Sequence, residues 1–326
     1  MSHKRFFSYL VIVLFIDILI ISINSCQAMG KALSQAGYEK QAKVVKAAGA
    51  AGAALAPFSV DEEVEIGRAM AARVIEASGG IYPNDTLNHY INLVGRAVAM
   101  NVTREDLDSD LYQFAIVNTD EINALAMPGG YIVITIGALK IMQSEAELAG
   151  VLAHEVVHID EGHLISAIKT AHGAEFLSQM ASIYNENNNS KLNKLLLNSS
   201  EYGMTTLYKK GLSRSCEQEA DEKAVKLLAE CGYYPGALKD FLNRIKEMSQ
   251  QQAERQPRRS GINSVPPVPT NVGDPIGGGL LKTLTATHPN PEDRIRTIDE
   301  YINKHGLQNV AGQKLDSRYP LQDIIK

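Results

Sequence analysis

Apolar positions along the chain fall into several runs of helical period interrupted once by short runs of strand character. The first convincing period begins at Ser59, where Ser59 and Glu62 have the spacing of a capping box and predict a helix through about Ser78. Asp85 opens a second helix, with Leu87, Tyr90, Ile91, Val94 and Val98 on its inward stripe and His89 turned to solvent. The period then changes. Tyr112 to Val117 and Tyr131 to Ile136 are short and rich in β-branched and aromatic residues, which predicts strands. Between them, Asn123 to Met127 runs into Pro128-Gly129-Gly130, a turn that folds the segment back on Tyr131 to Ile136 as a hairpin. Such a sheet offers an edge to which an extended peptide can add as a strand.

Helical period returns in ELAGVLAHEVVHIDEGH, residues Glu147 to His163. Ser144 and Glu147 form another capping box, Leu148, Val151, Leu152 and Ile159 recur at helical spacing, and Gly162 offers a left-handed stop. This predicts a buried helix that continues or restarts through about Met180. Residues 184–200, dense in Asn, Ser and Lys, read as a mobile loop. Ser213 to Ala229 is helical with Ala220, Ala224, Leu227 and Leu228 on one side, and a further helix follows Pro235. Residues 250–284 carry too much Pro and Gly for an element and read as a disordered or surface insertion. Asn290 and Pro291 then start a last helix with Ile295, Ile298 and Ile302 inward. The expected fold is α+β, mostly helical, with a small antiparallel sheet beside the helix of Glu147 to His163. One domain covers residues 59–316, followed by a tail at 317–326.

Composition narrows the function classes. With 326 residues, 45% of them hydrophobic, the chain can bury one large core. A net charge of -5 without a basic run or basic stripe excludes nucleic acid as an expected partner. At the amino end, Lys4 and Arg5 precede the apolar run Phe6 to Ile23, so residues 1–25 read as a signal peptide. Asp17 within that run argues against a permanent span. Ile23-Asn24-Ser25-Cys26 resembles a bacterial lipobox, which would make Cys26 the lipidated first residue and residues 26–58, rich in Ala, a tether. Gln27 resembles the form sent to the outer membrane, so the expected location is the periplasm, as an outer-membrane-anchored lipoprotein. A plain signal peptide or an uncleaved anchor are the alternatives. Cys216 and Cys231 would stand roughly 22 Å apart along one helix, beyond a disulfide's reach, and read as small buried residues.

The chemistry concentrates in HEVVH. His154 and His158 differ by about 40° around the helix axis, so their imidazoles can converge on one ion. Glu155, about 100° from His154, is placed to reach a water on that ion. A helix that carried two histidines without a metal would bury costly polar groups. A catalytic zinc takes three protein ligands and a water, which leaves His163, Glu217 and Glu219 as candidates for the third. His163 lies roughly 140° from His158 on a continuous helix and reads as structural. Glu217 is preferred because Asp221, four residues on, shares its face and can accept a proton from a ligating histidine. Glu219 points about 200° away and has Lys223 at the matching position.

HEVVH, SRSCEQEAD, THPNPEDRI and NALAMPGGYIVITIGAL together resemble the zinc metallopeptidase family of the CAAX prenyl protease and HtpX, and more closely its soluble periplasmic or lipoprotein branch. The resemblance spans about Ser59 to Ile302. It implies a zincin-like (gluzincin) fold and one Zn2+ per chain on His154, His158 and Glu217. Glu155 would be the base that activates the metal-bound water, and Asp221 would orient a ligand. His288, in the THP motif, matches a histidine that approaches the zinc in some members and holds the enzyme latent or assists catalysis. The long insertion before His288 is a departure from the family. The expected activity is a metalloendopeptidase acting on unfolded or damaged envelope proteins, with Glu155 as base and His288 and Arg294 as candidate oxyanion donors. The alternatives are an envelope chaperone-like protein with a latent, His288-blocked or structural zinc site, and a zinc hydrolase acting on non-peptide amides. The oligomeric state is not legible.

Overall fold

The computed structural model describes residues 58–168, 211–255, 288, 291–310 and 312. The stretches read as a signal peptide and as a loop at 184–200, all of the expected tether but Phe58, most of the insertion and the tail lie outside the described residues. The chain divides into two compact units, and the one comprising residues 60–167 and 200–326 carries everything that follows.

Its described elements are α1 (Val60–Ala77), α2 (Asp85–Ala99), β1 (Gln113–Val117), β2 (Ala124–Met127), β3 (Tyr131–Thr135), α3 (Ile136–Ile141), α4 (Glu145–Asp160), α5 (Arg214–Glu230), α6 (Ala237–Arg255) and α7 (Pro291–Lys304). The centre is α4, buried on every side from Glu145 to Ile159 and packed against α2, α5, α6 and β2. A helix apolar all round, as this one nearly is, can only sit inside.

The start of α4 is fixed by side chains. Ser144 accepts the backbone N–H of Glu147, and the Glu147 carboxylate accepts the N–H of Gln143 at 2.9 Å. Arg244 of α6 forks onto the same carboxylate at 2.6 and 3.0 Å. Glu145 accepts both Tyr90 from α2 (2.6 Å) and Tyr233 (2.7 Å), so two buried acids pin the helix to its neighbours. The other end stops at Gly162, whose φ of +61° is a left-handed value that favours glycine.

The sheet is mixed, in the order β1-β3-β2, where a wholly antiparallel one was expected. β2 pairs antiparallel with β3, Ala124 facing Ile134 and Met127 facing Tyr131, as the predicted hairpin requires. β1 pairs parallel with β3, Gln113 facing Tyr131 and Val117 facing Thr135. The hairpin inserts β3 between its two predecessors, and β1 then has the same direction as β3. In the hairpin turn, Gly129 (φ +70°) and Gly130 (φ +97°) are obligatory, since a Cβ on either would fall 2.4 Å from the Val64 Cα or 2.5 Å from the Leu111 carbonyl oxygen.

Two asparagines on α2 cover the free edge of β1. Asn92 donates to the Phe114 carbonyl (2.6 Å) and accepts its N–H (3.2 Å), while Asn88 accepts the N–H of Ile116 (3.2 Å). Side chains thereby occupy an edge that would otherwise pair with another strand. β2 takes the opposite edge, and all four of its residues are buried.

Three further details differ from the sequence expectation. α3 was not anticipated; Thr135 ends β3 and caps α3 by accepting the N–H of Ala138 at 3.1 Å. α6 runs to Arg255, so residues 250–255 are helical rather than part of the insertion, in keeping with a QQQAER sequence free of Pro and Gly. Cys216 and Cys231 are both free thiols, half-buried rather than buried. Among the described residues, no helix is long and apolar enough to cross a membrane.

Candidate metal centre

Three stretches of chain meet at one buried point. α4 supplies His154, Glu155 and His158; α5 supplies Glu217 and Asp221; the segment leading into α7 supplies His288 and α7 itself Arg294. Packing of α5 along α4 is what brings the first two sets together, and Ala220, Ala224 and Leu228 of α5 are fully buried.

His154, His158, Glu217 and His288 each offer an atom within 4.8 Å of the others. His154 Nε2 lies 3.0 Å from His158 Nε2, and each is 3.5 Å from a Glu217 oxygen. His288 Nδ1 lies 2.9 Å from Glu217 Oε2 and 3.3 Å from His154 Nε2. Ligands bound at about 2.0–2.1 Å in a tetrahedron stand about 3.3 Å apart, so these separations are those of a single small cation's shell. Two imidazole nitrogens facing each other at 3.0 Å repel unless a proton or a cation lies between them.

Asp221 accepts from His154 Nδ1 at 2.9 Å, which leaves Nε2 as the nitrogen turned to the cluster. Arg294 in turn donates to Asp221 from Nε and Nη2, at 3.0 and 2.7 Å. Burial and Arg294 both oppose a charge on His154, but Asp221 and Glu217 outweigh them and raise its pKa to about 9. Burial, with His154 beside it, holds His158 neutral. Burial would raise Glu217, yet the surrounding imidazoles, His288 first, bring it well below the usual carboxylate range.

Among the described residues, two buried atoms at the site have no hydrogen-bond partner, Glu155 Oε2 and His288 Nε2. Glu155 Oε1 stands 3.6 Å from that same Nε2. An unpartnered buried carboxylate oxygen beside a set of N and O donors fits a centre that receives a metal and a water.

The structure brings His154, His158 and Glu217 together with His288 at one buried point. Residues 86–302, more than half of the chain, match the model of peptidase family M48. The chain belongs to peptidase family M48. M48 relatives include the β-barrel assembly-enhancing protease of Yersinia pestis, 29% identical over 60% of this chain and 40% of that protein. The protein of the same name from Escherichia coli K12 is 26% identical over 76% of this chain and 45% of that protein. An HtpX protease homolog of Sulfurihydrogenibium is 31% identical over 53% of this chain and 61% of that protein. The chain thus spans less than half the length of the two assembly-enhancing proteases. The buried cluster is consistent with the metal site of an M48 peptidase.

Sequence reasoning set His163 aside. In the structure its Nδ1 lies 2.8 Å from His158 Nδ1, and its Nε2 is 3.3 Å from Glu219. Counting degrees along a continuous helix misplaced it, because Gly162 breaks the helix and turns His163 back under His158. Glu219 stays off the cluster and pairs with Lys223 at 2.7 Å, as its position four residues earlier suggested.

Proposed function

We propose that the chain is a zinc-dependent metalloendopeptidase with one Zn2+ held by His154, His158 and Glu217. The observation that carries this reading is the set of buried donors within 4.8 Å, with the unpartnered oxygen of Glu155 beside it. When bound, zinc polarises the scissile carbonyl and lowers the pKa of a water from 15.7 towards about 7. Glu155 takes the proton of the attacking water and passes it to the leaving amine. Asp221 orients His154, and Arg294 anchors Asp221. Of the two roles that the resemblance leaves for His288, the geometry supports closure: Nδ1 stands as a fourth donor, and a fourth protein ligand takes the position the water needs.

The substrates we propose are unfolded or damaged envelope proteins, bound in extended form. A recess beside Glu155 is lined by Ala126 and Met127 of β2 and by Ile159, Ile165 and Leu212, an apolar wall next to an edge strand. Because β2 is buried, strand addition requires whatever covers it to withdraw. The names of the relatives speak of β-barrel assembly, and this agrees with an exported protein carrying the signal sequence and lipobox-like Cys26. Mass spectrometry of the mature amino terminus tests the lipid. Cleavage of unfolded protein but not of small amides by the zinc-loaded protein supports the endopeptidase; the reverse selectivity would sink it.

A further inference from the structure

His154 and His158 are held in different ways, and the second arrangement points to two residues outside the donor cluster. His154 is bonded directly to Asp221, a fully buried carboxylate. His158 meets no carboxylate at Nδ1. Its neighbour there is a second imidazole, His163, at 2.8 Å.

Resting on the metal reading above, we propose that His163 and Glu219 are positioning residues for His158. They fix which of its ring nitrogens carries the proton, so that Nε2 offers a lone pair to the metal. Two ring nitrogens 2.8 Å apart share one proton between them. If His163 donated it, the proton of neutral His158 would sit on Nε2, aimed at His154 Nε2 3.0 Å away and into the cluster. If His158 donates, its Nε2 is free, and His163 must carry its own proton on Nε2. That nitrogen faces Glu219 Oε2 at 3.3 Å, an acceptor with no proton to give. Only this second assignment satisfies every atom from Glu219 to His158 Nδ1 and turns the lone pair of His158 Nε2 to the cluster.

The outer end is anchored as well. Lys223 holds Glu219 at 2.7 Å and Glu161, at the end of α4, at 2.5 Å, tying the two ligand-bearing helices together beside the relay. Gly162, with φ +61°, provides the reversal that sets His163 under His158. Glu219 is 44% exposed, so one ligand is oriented from the core and the other from the rim of the protein.

The test is competitive zinc titration against a chromogenic chelator, on the full chain, for wild type, His163→Phe and His163→Gln, with thermal unfolding of each metal-free protein. His163→Phe keeps the ring's bulk and removes the acceptor, so zinc affinity falls about 10- to 100-fold. Gln presents a carbonyl that can accept from His158 Nδ1 and restores most of that loss. Wild-type affinity in His163→Phe would overturn the proposal. So would an equal loss in both variants that follows a fall in metal-free melting temperature. Glu219→Ala, at a half-exposed position that leaves the fold intact, is expected to lose about three- to tenfold; unchanged affinity there would overturn the outer half of the relay. Wild-type protein that takes up no zinc would overturn the metal reading itself, and this inference with it.

Discussion

His288 Nδ1 lies 2.9 Å from Glu217 Oε2, while Nε2 of the same ring has no hydrogen-bond partner among the described residues. One face of His288 thus closes the donor set. Its other face stands 3.6 Å from Glu155, where a water would have to be activated. Removing the ring opens the position. His288→Ala is therefore expected to bind zinc and to cleave casein several-fold faster than wild type, measured at equal zinc loading. Zinc-loaded His288→Ala without any cleavage would favour the chaperone-like alternative, in which the site is structural.

The raised pKa of His154, about 9, makes zinc uptake pH-dependent. Below that value the folded, metal-free site holds a proton that a metal must displace, whereas His158 is already neutral. Affinity should rise about tenfold per pH unit between about pH 6.5 and 8.5, with one proton released per zinc. Calorimetric titration in buffers of different ionisation enthalpy counts that proton. Uptake at pH 7 with no proton released would contradict the assignment.

Arg294 neutralises Asp221 where both are nearly inaccessible to water. Arg294→Met leaves Asp221 without its main cation and is expected to destabilise the metal-free protein by about 3–5 kcal/mol. Urea unfolding measures it. A change below about 1 kcal/mol would mean that His154 alone suffices for Asp221.

Glu145 joins α2, α4 and the Tyr233 turn through two phenol hydrogen bonds. Hydrogen bonds to a charged group contribute about 1.5–3 kcal/mol each, and both are lost in Glu145→Ala. The denaturation midpoint should fall by an amount equivalent to about 3–6 kcal/mol with the zinc content unchanged. Loss of zinc at unchanged stability would instead implicate Glu145 in the site.

Legibility followed locality. α4 could be read because its cap, its apolar run and its stop coincide in one continuous stretch, and Glu217 with Asp221 because a spacing of four names a shared helix face. The parallel pairing of β1 with β3 could not be read, since no periodicity within a strand says which neighbour it takes. Asn88 and Asn92 look like solvent-facing residues of α2 until β1 lies against them. His163, read as structural, lies elsewhere than its counted angle for a narrower reason. Angular counting holds only while the helix continues, and Gly162, correctly read as its stop, was not carried through to the residue after it. α3 is six residues long, too short to show a period.

The most direct test of the account is zinc content together with casein cleavage, for wild type and Glu155→Gln. Glu155 is expected to move protons without binding the metal. Both proteins should then hold one zinc per chain, and cleavage by the variant should fall by about 10²–10⁴-fold. A Glu155→Gln protein that cleaves casein at the wild-type rate would contradict the account.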